Sequence, residues 1–223
     1  DGAIYKRVYD SLFQDIPSEY VYWSRVAGLR YCADVGQNEF IRRILVSKAY
    51  NNQKTTILGM LRSLKLEVLM PALSAAGFQP DQLIDKPHLP GLKAFFAEHW
   101  QDVVQLFEPE ALRYGEVITS QIGNARKIAV VDVGWAGTGP LSFKDFIERK
   151  LALDCQVTGF MAGASITDYS ATNVALLKGD LETYMFSQRD NYANFASHMR
   201  RHSSTMCVFF EMLTQDTTPS FKG

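Results

Sequence analysis

The chain has 223 residues, of which 47% are hydrophobic and 12% aromatic, enough to bury a substantial core. Its 23 basic and 24 acidic residues leave a formal charge of -1, which excludes the basic field that nucleic acid or an anionic membrane requires. Three widely spaced cysteines (Cys32, Cys155, Cys207) and no Cys-x-x-Cys argue against a disulfide framework or zinc knuckle and fit a reducing compartment. No apolar run approaches the length of a membrane span and no signal pattern opens the chain, so the cytoplasm is the expected location.

In chain order, the apolar residues Ile4, Val8 and Leu12, flanked by Tyr5 and Tyr9, predict a helix over 3–14 that Pro17 and Ser18 end. Residues 19–23 (EYVYW) are strand formers, and Ser24-Arg25 sit at their end. From 26 to 124 the pattern is mainly helical. Phe40, Ile41, Ile44 and Leu45 make one apolar face, and Thr55 or Thr56 caps a helix carrying Ile57, Leu58, Leu61 and Leu64. Phe96, Trp100, Val103, Val104 and Phe107 form the clearest helical stripe, Pro109 suits the first turn of the next helix, and Gly123-Asn124 its C-cap.

From 127 the pattern changes. Residues 127–132, 140–152 and 155–162 read as strand, helix and strand, a unit that gives parallel pairing. Residues 174–177 and 181–186 read as a hairpin turning at Lys178-Gly179-Asp180, and 191–213 as a last helix. The expected fold is α/β: a Rossmann-like parallel sheet with a large helical insert or cap at 26–124, and a ligand-loop region at 127–190 within a single domain. The ends, opening on Asp1-Gly2 and closing on Lys222-Gly223, read as those of a piece of a longer protein.

The chemistry concentrates in Lys127 to Gly139, KIAVVDVGWAGTG. In open parallel sheets, ligands bind beyond the carboxyl ends of the strands. Here a carboxylate, Asp132, stands at a strand end. Gly134, Gly137 and Gly139 let backbone approach an anion, and a helix N-terminus follows. Asp132 suits a magnesium ligand, a proton acceptor or a partner for a sugar hydroxyl, and Thr138 suits a phosphate oxygen. The pattern is neither G-x-G-x-x-G nor a Walker loop. The equal alternative is a tight turn whose aspartate caps the helix.

Arg25 offers a fork for phosphate or carboxylate, or is a surface arginine. Asp1-Gly2 resembles a phosphate-handling turn or is an N-cap. His198 and His202 are spaced i, i+4, but lack the glutamate of H-E-x-x-H and a third ligand, so they read as a solvated basic face with Arg200 and Arg201. Ser165 and Ser203-Ser204 have no assignable His/Asp partner, and there is no G-x-S-x-G.

Five short segments together resemble a family of bacterial proteins regarded as hydrolases of the haloacid-dehalogenase (HAD) superfamily, found with glycosyltransferases in surface-polysaccharide loci. They are Asp1-Gly2, Tyr20 to Arg25 (YVYWSR), Asp132 to Thr138 (DVGWAGT), Phe209 to Leu213 (FFEML) and Ser220 to Gly223 (SFKG), in that order along the chain. The resemblance implies the portion downstream of a HAD-type catalytic core. The superfamily's D-x-D nucleophile motif occurs nowhere in the sequence, so the hydrolase activity attaches to no residue here. What is implied is a phosphorylated or nucleotide-sugar ligand bound by Asp1, Ser24, Arg25, Gly134, Trp135, Gly137 and Thr138. Asp132 is the candidate catalytic residue and the ligand of any Mg²⁺. Partners would be a glycosyltransferase or an upstream HAD-type domain. The alternative is a non-catalytic interaction module that docks a glycosyltransferase or a second copy through its helices.

Overall fold

A computed structural model of the chain describes residues 2–50, 54–164 and 171–200. Helices α1 (Gly2–Leu12), α2 (Arg25–Tyr31) and α3 (Gln37–Ile41) come first; α3 runs through a π-helical turn, Arg42–Val46, into α4 (Ser47–Tyr50). Helices α5 (Ile57–Leu64), α6 (Met70–Ala75), α7 (Leu89–Glu98) and α8 (Trp100–Ile122) follow. Next come β1 (Lys127–Trp135), α9 (Thr138–Asp145) with a π-helical end at Phe146–Lys150, and β2 (Gln156–Ala164). Helix α10 (Ala171–Lys178), β3 (Leu181–Phe186) and α11 (Tyr192–Arg200) complete the described chain. No described helix is long and apolar enough to cross a membrane. The chain divides into two compact units, one drawn from residues 2–25 and 119–200, the other from 26–118.

The 26–118 unit is helical and built on aromatic packing. Phe40, Phe96 and Phe107 are fully buried, and the Phe40 ring meets Trp100 edge-on at 5.1 Å. Thr56 caps α5 through its side chain, accepting from the Gly59 N–H at 3.0 Å. Arg30 is buried, paired with Glu110 and lying 5.2 Å over the Phe107 ring. Pro109 departs from expectation, because it lies inside α8 rather than at the start of a new helix. Trp100, Val103, Phe107, Ala111, Gly115 and Ile118 are buried at three- and four-residue spacing, with Pro109 on the exposed side. Burying that unbroken stripe outweighs a proline interruption of about 3 kcal/mol.

The other unit holds a three-stranded, wholly parallel sheet in the order β1-β2-β3. Lys127 stands opposite Gln156 and Asp132 opposite Met161; Gly159 stands opposite Leu181. The expected strand–helix–strand unit is present, with β1 running three residues further than predicted and α9 starting two residues earlier. Two expectations fail. Residues 171–178 are a helix and not a hairpin arm, since a strand joining β2 in parallel needs a crossover and this segment supplies it. Lys178-Gly179-Asp180 turns that helix into β3, with Gly179 at φ +76° and the Asp180 N–H donating to the Ala175 carbonyl at 2.9 Å.

Residues 19–23 form no strand. Their aromatic side chains pack instead. Tyr20 meets Tyr22 edge-on at 4.9 Å, and Trp23 lies against Phe143 at 5.1 Å and Phe146 at 5.4 Å. Strand propensity measures packing on a half-buried surface, and here that packing is found without a ladder.

Candidate functional site

Beyond the carboxyl end of β1 the chain must leave the sheet and enter α9 within two residues. Gly134 takes φ +133°, and a side chain there would meet the Gly163 carbonyl oxygen at 2.5 Å. The Gly134–Trp135 peptide is cis. Gly137 is the N-cap of α9 in the left-handed region, φ +65°, where a Cβ would strike Leu181 at 2.5 Å. These glycines bring the β1–α9 loop close against β2 and β3. The loop is also tied from α10, where the buried Thr172 donates its hydroxyl to the Ala136 carbonyl at 2.5 Å.

Asp132, expected at the strand end, lies inside β1, opposite Met161 and three residues before the strand stops. It is half-buried, and its Oδ1 accepts from the Val133 N–H at 2.8 Å. A Cβ on Gly139, in the first turn of α9, would stand 3.2 Å from its Oδ2. The carboxylate is thus beside the helix start, yet α9 has no side-chain cap. Among the described residues Asp132 makes no ion pair within 4.0 Å. Burial raises its pKa above the ordinary aspartate range; the N–H groups of Val133 and Gly134 and the charge of Arg25 oppose the rise.

Arg25 arrives by a separate route. Trp23 is anchored on α9, its Nε1 donating to the Ser142 hydroxyl at 3.0 Å, and Ser142 in turn donates to the Gly139 carbonyl at 3.0 Å. Two residues on, the exposed Arg25 opens α2, with its charge acting on Asp132. Ser24 beside it is half-buried, and Thr138, the first residue of α9, is half-buried too.

The remaining predicted residues divide. The Trp135 ring is buried, stacked on Phe186 at 6.1 Å in a cluster with Val133 and Phe195. Its side chain therefore belongs to the core under the turn. Asp1, Ser165, His202, Ser203, Ser204 and the segments Phe209 to Leu213 and Ser220 to Gly223 lie outside the described residues, as does the side chain of His198. Among the described residues no three His, Cys, Asp or Glu side chains gather as a metal site.

Two tyrosines that no motif singles out stand at this end of the sheet. Tyr5 of α1 packs against the Val133–Trp135 cluster, and its hydroxyl bonds that of Tyr184 of β3 at 2.9 Å. Tyr184 is 55% exposed. Its pKa is raised by burial of the hydroxyl, then by the bond to Tyr5, with a smaller push from the Asp132 charge. Their sequence separation of 179 residues hides the pair from any local pattern.

An open cleft lined by Arg126, Lys144, Glu148, Asp154 and Cys155 lies at the opposite, amino-terminal end of the strands. Lys144 fills it with fixed bonds, at 2.6 Å to Glu148 and 3.3 Å to Asp180. Burial pushes the Cys155 thiol pKa up, away from reactivity. Its groups are thus committed to one another.

No protein-family model, curated protein or solved structure matches the chain.

Proposed function

We propose that the sheet unit is a Rossmann-like ligand-binding domain of the HAD-related, polysaccharide-associated kind. Its ligand is a phosphorylated sugar or nucleotide sugar, held at the Asp132–Thr138 turn. The observation that carries this reading is Asp132: a half-buried carboxylate in the carboxyl-terminal half of a parallel strand, 3.2 Å from where a Cβ on Gly139 of α9 would stand, without an ion pair among the described residues and with its pKa raised. A structural cap would bond the N–H groups of α9; Asp132 bonds those of its own strand. A carboxylate that makes no ion pair among the described residues and whose pKa is raised has proton affinity and lone pairs left for a ligand hydroxyl.

In this reading Asp132 accepts from, or exchanges a proton with, a sugar hydroxyl. Arg25 and the N–H groups of Thr138 and Gly139 take the phosphate, and the glycine backbone allows its approach. Pro140 has no N–H, so it adds no donor to the helix end. Mg²⁺ binds through one or two carboxylates together with substrate phosphates. Asp132 would be its one carboxylate here, so the ion belongs to the proposal only alongside a phosphorylated ligand.

The docking alternative stays second. Leu106, Leu112 and Val117 are the exposed apolar residues of α8, spaced six and five apart, so all three do not share one helix face. Calorimetric titration of the chain and of Asp132→Ala with nucleotide sugars, with and without Mg²⁺, tests the reading. Binding that the substitution abolishes supports it, and equal binding by both removes Asp132 from the site.

A further inference from the structure

We infer that Trp23, bonded to Ser142 of α9, is the positioning residue that holds Arg25 to the sheet unit for the phosphate of the ligand. The inference rests on the reading of Asp132 and the α9 start as a ligand site and adds what keeps Arg25 at it.

The geometry is a short chain of bonds. The Trp23 Nε1 donates to the Ser142 hydroxyl at 3.0 Å, and that hydroxyl donates to the Gly139 carbonyl at 3.0 Å. Gly139 is the residue whose Cβ would stand 3.2 Å from the Asp132 Oδ2. Trp23 is thus linked, bond by bond, to the first turn of α9, beside the carboxylate. Its ring is gripped as well, at 5.1 Å from Phe143 and 5.4 Å from Phe146, both buried. Residues 19–23 form no strand, so no ladder holds them to the sheet. Arg25 follows two residues on, at most about 7 Å along the chain. Its charge reaches Asp132. The boundary between the two compact units falls directly after it, before Val26. What fixes Arg25 on the sheet unit is therefore the grip of that unit on the residues just before it, and Trp23 supplies such a grip.

Burial alone accounts for an aromatic ring on Phe143 and Phe146, and a phenylalanine would serve. It does not account for the bond. A serine inside a helix satisfies its own donor on the preceding turn, as Ser142 does at Gly139, and needs no indole. The indole N–H adds direction, because it fixes one orientation of Trp23 against α9. That matters for an exposed arginine. A guanidinium meets phosphate through a planar fork, so the contact depends on where the side chain starts. Fixing that start lowers the entropy lost when the contact forms. In the reading above the phosphate also meets the N–H groups of Thr138 and Gly139 at the start of α9. Arg25, tied to the same helix through Trp23 and Ser142, keeps its distance from them.

Titration with uridine diphosphate glucose and Mg²⁺ tests the role in wild type, Trp23→Phe, Arg25→Ala and the double variant. Phenylalanine keeps a ring against Phe143 and Phe146 and removes the N–H donor. Arg25→Ala is expected to weaken binding about tenfold, the scale of a hydrogen bond to a charged group. Trp23→Phe is expected to weaken it about fivefold, the scale of one neutral hydrogen bond, and to cost nothing further once Arg25 is alanine. Added sodium chloride should weaken wild type by screening the arginine, and should weaken Trp23→Phe and Arg25→Ala less. Ser142→Ala removes the acceptor without touching the indole and should reproduce Trp23→Phe; binding as in wild type would overturn the assignment to this bond. Equal weakening by Trp23→Phe with and without Arg25 makes the indole a general support and overturns the positioning role. Trp23→Phe or Arg25→Ala binding as wild type does, while Asp132→Ala loses the ligand, overturns it and leaves the Asp132 site standing. Failure of wild type to bind overturns the site reading and the inference with it.

Discussion

Asp132 is held by its own strand and by little else, and that has a thermodynamic consequence. Its folded-state pKa is raised by burial above the ordinary value of 3.8. Folding therefore favours the protonated carboxyl. The contribution of this group to stability is fully present below the unfolded-state pKa and is lost as the pH rises through the folded-state pKa. At neutral pH the ionised carboxylate is a cost that the fold carries. Asp132→Asn keeps the shape and the acceptor for the Val133 N–H but cannot ionise. Thermal melts should show the asparagine variant more stable than wild type at pH 7, with the difference shrinking as the pH is lowered towards 3.8. A variant less stable than wild type at pH 7 would mean that the charge supports the turn, as a structural cap does. Stabilisation on removing a polar group, paired with loss of binding, is the signature of a functional residue. The glycine turn into α9 was legible, because glycine is a local signal, but β1 runs through Asp132 to Trp135, since its end is decided by the ladder to β2. The bond of Tyr184 to Tyr5 was not legible, since it reaches a residue 179 positions away.

At the scale of elements, local rules held wherever the interactions that decide the outcome are local. The Thr56 cap of α5 is one such case, and Thr56→Ala removes the acceptor for the Gly59 N–H. A loss of about 1 kcal/mol in chemical denaturation is expected. No change at all would show that other groups hold that helix start. The strand–helix–strand run from β1 to β2 was legible for the same reason, since each piece carries its own period and its own breaks. The failures share a cause. Residues 19–23 have the composition of a strand, yet the partners of Trp23 are Phe143, Phe146 and Ser142, more than a hundred residues on. Residues 174–177 and 181–186 have the spacing of a hairpin, but only the β2 ladder, which no local pattern encodes, decides that β3 runs parallel. Pro109 would end a helix judged locally, and the buried stripe of α8 carries the helix through it.

At the scale of the whole molecule, two compact units each bury their own core, and the ligand reading concerns the sheet unit alone. That unit has a further property that follows from its ladder. The Gln156 N–H donates to the Arg126 carbonyl, so residues 126, 128 and 130 face β2 by alternation. The N–H groups of Lys127, Ala129 and Val131 then point to the outer edge of β1, which pairs with one strand among those described. Val131 is 46% exposed. Amide hydrogen exchange resolved by residue should find Lys127, Ala129 and Val131 fast and Ile128 and Val130 protected. Uniform protection along β1 would show the outer edge to be covered.

The central claim is that the Asp132 turn holds a phosphorylated sugar. Isothermal titration of wild type and Asp132→Ala with a nucleotide sugar, in the presence of Mg²⁺, tests it most directly. Saturable one-to-one binding by wild type, weakened at least tenfold in the variant, is the predicted result, about 1.4 kcal/mol or more. Binding of equal strength by both proteins, or none by wild type, would contradict it.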